Sequence, residues 1–145
     1  MYENEHRKFD GSGSAVCIDV GHNTLMIGVA RQSGLKFDWN GSANVSMGIR
    51  DVSRVCQVLR GMLENAFDES TRSQWGAGYS ADAIFRKIGK YDVAFTHLVE
   101  PTPGYRLIIK GEGSAGTWTY FFDMDEAFML MIGLERAFSR IMFGI

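Results

Sequence analysis

Short apolar runs alternate with turn-forming residues along the first part of the chain. Runs rich in β-branched and aromatic residues cover positions 15–20, 25–30 and 35–39, and a fourth short run covers 44–47. Gly21 and Asn23 separate the first two runs, and Ser33 and Gly34 separate the next two. This pattern predicts a meander of short strands joined by tight turns.

The hydrophobic period changes at Ile49. Apolar residues then recur at helical spacing, at positions 52, 55, 56, 59, 62 and 63, with polar residues between them. The spacing predicts an amphipathic helix over residues 49–66. Asp51 in its first turn suits the positive end of the helix dipole.

The second half of the chain shows the same order of elements. After a stretch rich in Ser, Gly and acids, apolar runs at 83–88, 91–99, 105–110 and 117–122 predict strands. Asp123 and Glu126 have the spacing of a capping box, which predicts a second helix over residues 124–142. The chain therefore reads as an α+β fold with a duplicated (ββββα)2 order. Its predicted parts are a flexible arm over 1–14 and one domain over 15–145, in which repeats 15–66 and 83–143 are joined by a linker over 67–82.

The predicted second helix is apolar around nearly its whole circumference. A helix of this kind must be covered on all sides, and in a chain of 145 residues this favours packing against another subunit. The alternative is a central helix covered wholly within the chain. The residues predicted to form the subunit contact are Met124, Phe128, Met131, Leu134 and Phe138.

Composition and charge restrict the class of protein. No apolar stretch is long enough to span a membrane, and the polar N-terminus lacks the apolar core of a signal peptide, so we expect a cytoplasmic protein of a bacterium or a phage-infected cell. The net charge of −2 argues against a polycation that coats duplex DNA. The basic residues are concentrated in two segments, with five Lys and Arg against two acids in residues 31–63 and six against three in residues 72–110.

Signals of catalytic or metal chemistry are weak. Cys17 and Cys56 lie far apart in apolar runs, and the three histidines have no metal-ligand spacing. Residues 111–116 match a Gly-x-Gly-x-x-Gly pattern, but a predicted strand follows them where a dinucleotide site needs a helix. We therefore expect no enzyme, no cofactor, no metal and no small-molecule substrate.

The predicted strands instead carry aromatic and cationic residues side by side. Aromatic faces on which bases stack and cations that contact phosphates are what sequence-independent binding of single strands needs. Phe37 and Trp39 share one face of their strand, as do Trp118 and Tyr120 of theirs, although one of these pairs can instead belong to the core. Trp39 and Trp118 are the foremost stacking residues, because each is flanked by polar residues. The full set of predicted contact residues is Arg31, Lys36, Phe37, Trp39, Lys87, Lys90, Tyr105, Arg106, Lys110, Trp118 and Tyr120.

One segment resembles a known family. Lys36, Phe37, Asp38 and Trp39, followed by the helix around Asp51, resemble the Lys-Tyr-Asp-Trp … Leu-Ser-Pro-x-Glu stretch of the plant Whirly proteins. Residues 91–99, the Pro-Gly turn and residues 104–110 together resemble the long hairpin of that family, and residues 122–126 resemble its helix entry. Gly48 departs from it, since the family prefers Ser at this helix cap. The family's Lys-Gly-Lys-Ala-rich strand, which is tied to higher-order assembly, has no counterpart here.

The resemblance implies both a fold and a function. Whirly proteins share their fold with the kinetoplastid mitochondrial guide-RNA-binding proteins and, in half-size form, with the single-stranded-DNA-binding coactivator positive cofactor 4. For this chain, the resemblance implies two antiparallel sheets packed with two helices, a homotetramer with a helical centre, and single-stranded DNA bound along the sheets. Two alternatives stay open: an RNA-binding protein of the same fold, and an interaction module that docks another protein on the Met-rich second helix.

Overall fold

The computed structural model describes residues 5–21, 23–63, 83–98 and 103–144. Within these ranges the order of elements is four strands, a helix, four strands and a helix, as the sequence predicts. The elements are β1 (Glu5–Asp10), β2 (Ser14–Val20), β3 (Leu25–Ser33), β4 (Lys36–Met47), α1 (Ile49–Leu63), β5 (Ala83–Ile88), β6 (Tyr91–Leu98), β7 (Gly104–Lys110), β8 (Thr117–Asp123) and α2 (Met124–Phe143). The predicted linker over 67–82 lies outside the described residues.

The strands form two four-stranded antiparallel sheets. The first sheet has the order β1-β2-β3-β4 and the second the order β5-β6-β7-β8, so every strand pairs with its neighbour in the chain. Such hairpin connections follow from the short turns that separate the apolar runs. The predicted α+β fold with two antiparallel sheets and two helices is confirmed.

The first sheet differs from the prediction at both of its edges. Residues 5–10, predicted to belong to a flexible arm, form the edge strand β1, where Phe9 packs edge-on against Phe122 of the second sheet with ring centres 6.2 Å apart. The strands predicted over 35–39 and 44–47 are parts of the single strand β4. β1 was not predicted because it is polar apart from Phe9, as edge strands often are. β4 was predicted as two strands because its middle is polar and contains a bulge.

One core joins the two sheets and the two helices. The inner faces of the sheets contribute alternating side chains such as Val16 and Ile27 from the first sheet and Leu107 and Phe122 from the second. Val52 and Leu59 of α1 and Leu130 and Leu134 of α2 pack against them. Each sheet is thus buried on one face, and its outer face, directed away from this core, is available for function.

Helix α2 begins and ends at defined caps. The carboxylate of Asp123 accepts a hydrogen bond from the backbone N–H of Glu126 (2.8 Å), and the Glu126 carboxylate accepts from the N–H of Asp123, so the predicted capping box is confirmed. At the other end Gly144 adopts a left-handed conformation (φ 74°) and donates to the carbonyl oxygen of Arg140. Both ends therefore satisfy backbone groups that a helix leaves unpaired.

Candidate nucleic-acid interface

The outer face of the first sheet has a floor of small residues in its two middle strands. Val16 and Ile18 point into the core, so the alternating residues Ala15 and Cys17 lie on the outer face. Their cross-strand partners are Ala30 and Gly28. Ala15 and Ala30 have no exposed area and Cys17 only 8%, although they lie on the outer face. Larger side chains from elsewhere must therefore cover this floor.

Lys8 and Trp39 meet on this outer face. The ammonium nitrogen of Lys8 lies 5.1 Å from the centre of the Trp39 ring. The two residues belong to β1 and β4, the opposite edges of the sheet, which are separated by three strand spacings or about 14 Å. Both side chains must therefore lean inward across the middle strands to meet. Lys8 was not predicted from the sequence, because its strand was taken for a flexible arm.

A bulge in β4 sets the direction of Trp39. Asp38 pairs with Arg31 and Ala43 pairs with Val29, so residues 39–42 all lie opposite one residue of β3. The Asp38 carboxylate accepts from the N–H of Gly41 at 3.1 Å. A Cβ atom on Gly41 would lie 2.6 Å from an oxygen of that carboxylate, so any larger residue there would displace the carboxylate. Bulges commonly re-aim a side chain at a functional site.

Phe37 lies on the same side of β4 as Trp39 and is half-buried, whereas Lys36 is exposed on the opposite side, next to the turn between β3 and β4. Leu35 occupies that turn and is fully exposed. The first sheet thus places Phe37 and Trp39, but not Lys36, on the face where Lys8 lies.

The outer face of the second sheet carries exposed cations next to apolar residues. Arg106 and Lys110 are exposed on β7, on the side away from the core, with half-buried Ile108 between them. Phe121 of β8 lies directly across from Arg106 and is half-buried. Lys87 of β5 is also on this face, across from an aspartate of β6. Phe121 was not predicted as a contact residue. Alternation along β8 places it on the outer face once Trp118 and Tyr120 are known to be buried.

Three predicted contact residues point into the core instead. Tyr105, Trp118 and Tyr120 are only 1%, 7% and 1% exposed. The prediction that Trp118 is half-exposed is therefore wrong, and Tyr105 and Tyr120 offer no ring face on which a base can stack. Thr117 and Thr119 are exposed, but side chains alternate along a strand. The polar neighbours therefore mark the outer face of β8, whereas Trp118 and Tyr120 lie on its inner face.

Tyr120 supports the start of α2. Its hydroxyl donates to the Glu126 carboxylate at 2.7 Å, next to the capping box. Burial, and then this hydrogen bond, raise the pKa of Tyr120 well above its ordinary value. Burial also raises the pKa of Tyr105. Both hydroxyls therefore stay neutral at physiological pH and serve structure.

Trp118 joins the two sheets. Its indole N–H donates to the carbonyl oxygen of Gly41 in the bulge at 3.1 Å, and the Arg31 guanidinium stacks over its ring at 4.2 Å. Tyr91 meets the same ring edge-on, with centres 6.4 Å apart. Gly116 (φ +100°) leaves room for Arg31, since a Cβ atom there would lie 2.8 Å from the guanidinium. Arg31 thus holds the sheets together, although part of its side chain remains exposed.

The remaining predicted cations lie near the β5–β6 turn. Lys90 approaches the Tyr91 ring at 5.4 Å, and Lys87 lies 3.9 Å from the Glu112 carboxylate. Both partners of the latter pair are well exposed, so solvent screens it and it contributes little to stability. Lys87 and Lys90 are therefore accessible to a ligand.

The residues predicted for subunit contact divide into two groups. Met124 and Phe128 are exposed, with Met129 and Ile132 beside them on the same side of α2. Met131 and Leu134 are buried in the chain's own core, so their assignment to a subunit contact is wrong. Phe138 is half-buried in a groove of about 200 Å³ between α1 and α2. The buried residues lie on the side of α2 that packs against the sheets. Because the helix is apolar nearly all round, its sequence does not distinguish this side from the exposed one.

Cys17 is buried and Cys56 is half-buried. Burial raises the pKa of Cys56 to about 11, and burial together with the nearby Asp19 carboxylate raises that of Cys17 to about 11. Neither is a thiolate at neutral pH, so neither is suited to nucleophilic chemistry. Within the described ranges no group of three or more His, Cys, Asp and Glu side chains is placed to hold a metal ion. The same ranges contain no helix long and apolar enough to cross a bilayer.

No protein-family model matches the sequence, and no curated protein does. Solved structures do match over nearly the whole chain. A guide-RNA-binding protein complex bound to guide RNA superposes with a TM-score of 0.66 and 15% identity, covering 97% of this chain and 94% of its own. The MRP1/MRP2 proteins of Trypanosoma brucei give 0.64 and 14%, covering 97% and 86%. WHY1 from Arabidopsis thaliana gives 0.61 and 11%, covering 99% and 88%. At these identities the likeness concerns the fold: the chain has the Whirly fold, as its sequence resemblance implies, and shares it with the trypanosome proteins.

Proposed function

We propose that this protein binds single-stranded DNA without sequence preference, by base stacking and phosphate contacts on the outer faces of its two sheets. The observation that carries the proposal is the juxtaposition of aromatic and cationic side chains there. Trp39 lies beside Lys8 on the first sheet, and Phe121 lies across from Arg106 on the second. Stacking and phosphate contacts of this kind are independent of base identity.

The geometry favours single strands over duplex. In a duplex the base faces are stacked on one another and only base edges are accessible, which proteins commonly read with a helix in the major groove. The exposed side of α2 here carries Met124, Phe128, Met129 and Ile132, an apolar surface unsuited to a groove lined by phosphates. The sheets instead offer ring faces and a small number of cations.

Single-stranded RNA is the second candidate ligand. Stacking and phosphate contacts serve either polymer, and one structural neighbour is a guide-RNA-binding complex bound to its RNA. The 2′-hydroxyl is the group by which a protein distinguishes RNA from DNA. A direct comparison of the two polymers is therefore part of the test.

Self-association as a homotetramer completes the proposal. The apolar stripe of Met124, Phe128, Met129 and Ile132 on α2 is solvent-exposed in the single chain. Contiguous exposed apolar surface of this kind marks an interaction site in soluble proteins. A second copy of the same helix is the simplest partner, and association through it leaves the outer faces of the sheets free.

Fluorescence anisotropy with labelled single-stranded DNA, single-stranded RNA and duplex of matched length tests the function. We expect single strands to bind more tightly than duplex, with two to four phosphate contacts that each add roughly −0.7 to the salt slope. Lys110→Ala should weaken binding and make that slope shallower. Arg50→Ala, which removes an exposed cation of α1 at the groove between the two helices, is the matched control and should change neither. A preference for duplex would refute the proposal.

A further inference from the structure

The contact between Lys8 and Trp39 occupies a ring face that a base would need. The Lys8 ammonium lies 5.1 Å from the ring centre, within the range of a cation–π interaction. A base that stacks on the same face must displace it. Trp39 is half-buried, so only part of its ring is accessible to a ligand.

The middle strands of this outer face hold small residues that are tightly packed. A Cβ atom on Gly28 would lie 2.6 Å from the side-chain oxygen of Asn44, so even an alanine at that position would displace a neighbour. Ala15 and Ala30 are fully covered. The Asn44 side chain therefore covers Gly28, and the small residues of the floor are themselves closed to a ligand.

Lys8 is free to move to another partner. Within the described ranges no carboxylate forms an ion pair with it; the Lys8 ammonium contacts the Trp39 ring and acts electrostatically on Cys17, its cross-strand partner. A phosphate group is a stronger partner for an ammonium group than an aromatic face is, since it carries a full negative charge. Lys8 lies on an edge strand, and its long flexible side chain can reach outward from it.

We propose that Lys8 and Trp39 together form a nucleotide subsite that works by exchange. In the free protein the ammonium group covers the ring. In the complex a base stacks on the ring in its place, and the ammonium turns to the phosphate of that nucleotide or of its neighbour. This inference rests on the proposed function, since it needs a bound single strand.

The second sheet has no counterpart of this subsite among the described residues. The tryptophan of its fourth strand, Trp118, faces the core, and the outer-face cations Arg106 and Lys110 have no described contact with an aromatic ring. The two sheets therefore differ in their roles. The first holds a base by stacking, and the second mainly contacts phosphates.

Salt titrations of oligo-dT binding with Lys8→Gln test the exchange. Loss of one phosphate contact should make the slope shallower by roughly 0.7. At low salt the variant should bind more weakly than the wild type. At high salt, where the phosphate contact contributes little, it should bind more tightly than the wild type, because no ammonium has to leave the ring. The two lines should therefore cross.

Three controls make the result decisive. Lys8→Arg keeps the charge and should keep the wild-type slope, whereas Arg50→Gln makes the same charge change on α1 and should not alter it. Oligo-dT should quench the tryptophan fluorescence of the wild type and quench Trp39→Phe much less. An unchanged slope in Lys8→Gln, or equal quenching in Trp39→Phe, would overturn the exchange while leaving the proposed function standing. A wild type that binds no single strand would overturn both.

Discussion

The guanidinium of Arg31 lies 4.2 Å from the centre of the Trp118 ring and so connects the first sheet to the second. Arg31 lies on β3 directly after the register shift at the bulge, and Trp118 contacts the same bulge through its hydrogen bond to the carbonyl oxygen of Gly41. The bulge therefore has two functions. It directs Trp39 to the outer face and provides the carbonyl oxygen that fixes Trp118.

Arg31→Ala should destabilise the protein by about 1–2 kcal/mol, because a partly desolvated cation–π contact is lost from the junction of the sheets. Chemical denaturation measures the change. Lys36→Ala is the matched control, since Lys36 is a nearby exposed cation with no described aromatic contact, and it should cost less than about 0.5 kcal/mol. Equal effects of the two variants would contradict the role assigned to Arg31.

The two tryptophans should separate binding from stability. Trp118→Ala removes a buried ring and should cost about 3–5 kcal/mol of unfolding free energy. Trp39→Ala should weaken single-strand binding by about 1–3 kcal/mol and lower stability much less. Thermal unfolding and anisotropy on the same samples measure both quantities. A folded Trp39→Ala with wild-type affinity would place the stacking surface elsewhere, with Phe37 and Phe121 as the next residues to test.

Helix α2 provides a matched pair of substitutions for self-association. Phe128 is 54% exposed, so Phe128→Glu should give a folded protein of lower oligomeric state. Met131 is buried against the chain's own core, so Met131→Glu should unfold the protein, because it buries an unpaired carboxylate. Analytical ultracentrifugation and circular dichroism distinguish the two results. A wild type that is monomeric at micromolar concentration would show that the stripe has another partner.

Alkaline pH should destabilise the fold through the two cysteine thiols. The pKa values of Cys17 and Cys56 are raised from 9.0 to about 11 in the folded state, mainly by burial. The unfolded chain therefore loses these protons first, and their contribution is intact below pH 9 and is lost as the pH rises towards 11. Denaturation midpoints across this range should fall less steeply in Cys56→Ala than in the wild type. Identical pH profiles would show that Cys56 is accessible to solvent.

The elements and their order could be predicted from the sequence because they depend on local patterns. Alternation predicted the strands of the second sheet, helical spacing predicted α1 and α2, and the capping box at Asp123 fixed where α2 begins. The segment from Lys36 to Trp39 carried the resemblance to the Whirly proteins, and the fold agrees with it. Each of these patterns depends only on residues that are close together in the sequence.

The composition of the candidate interface was decided by tertiary structure. Alternation shows that Trp118 and Tyr120 share a face, but only packing against the first sheet determines that this face is the inner one. The polar residues 5–10 become a strand because β2 supplies their hydrogen-bond partners, and only then does Lys8 reach Trp39. The local sequence determined which side chains are available, whereas the pairing of distant strands determined which of them face solvent together, because burial and cross-strand contacts depend on residues far apart in the chain.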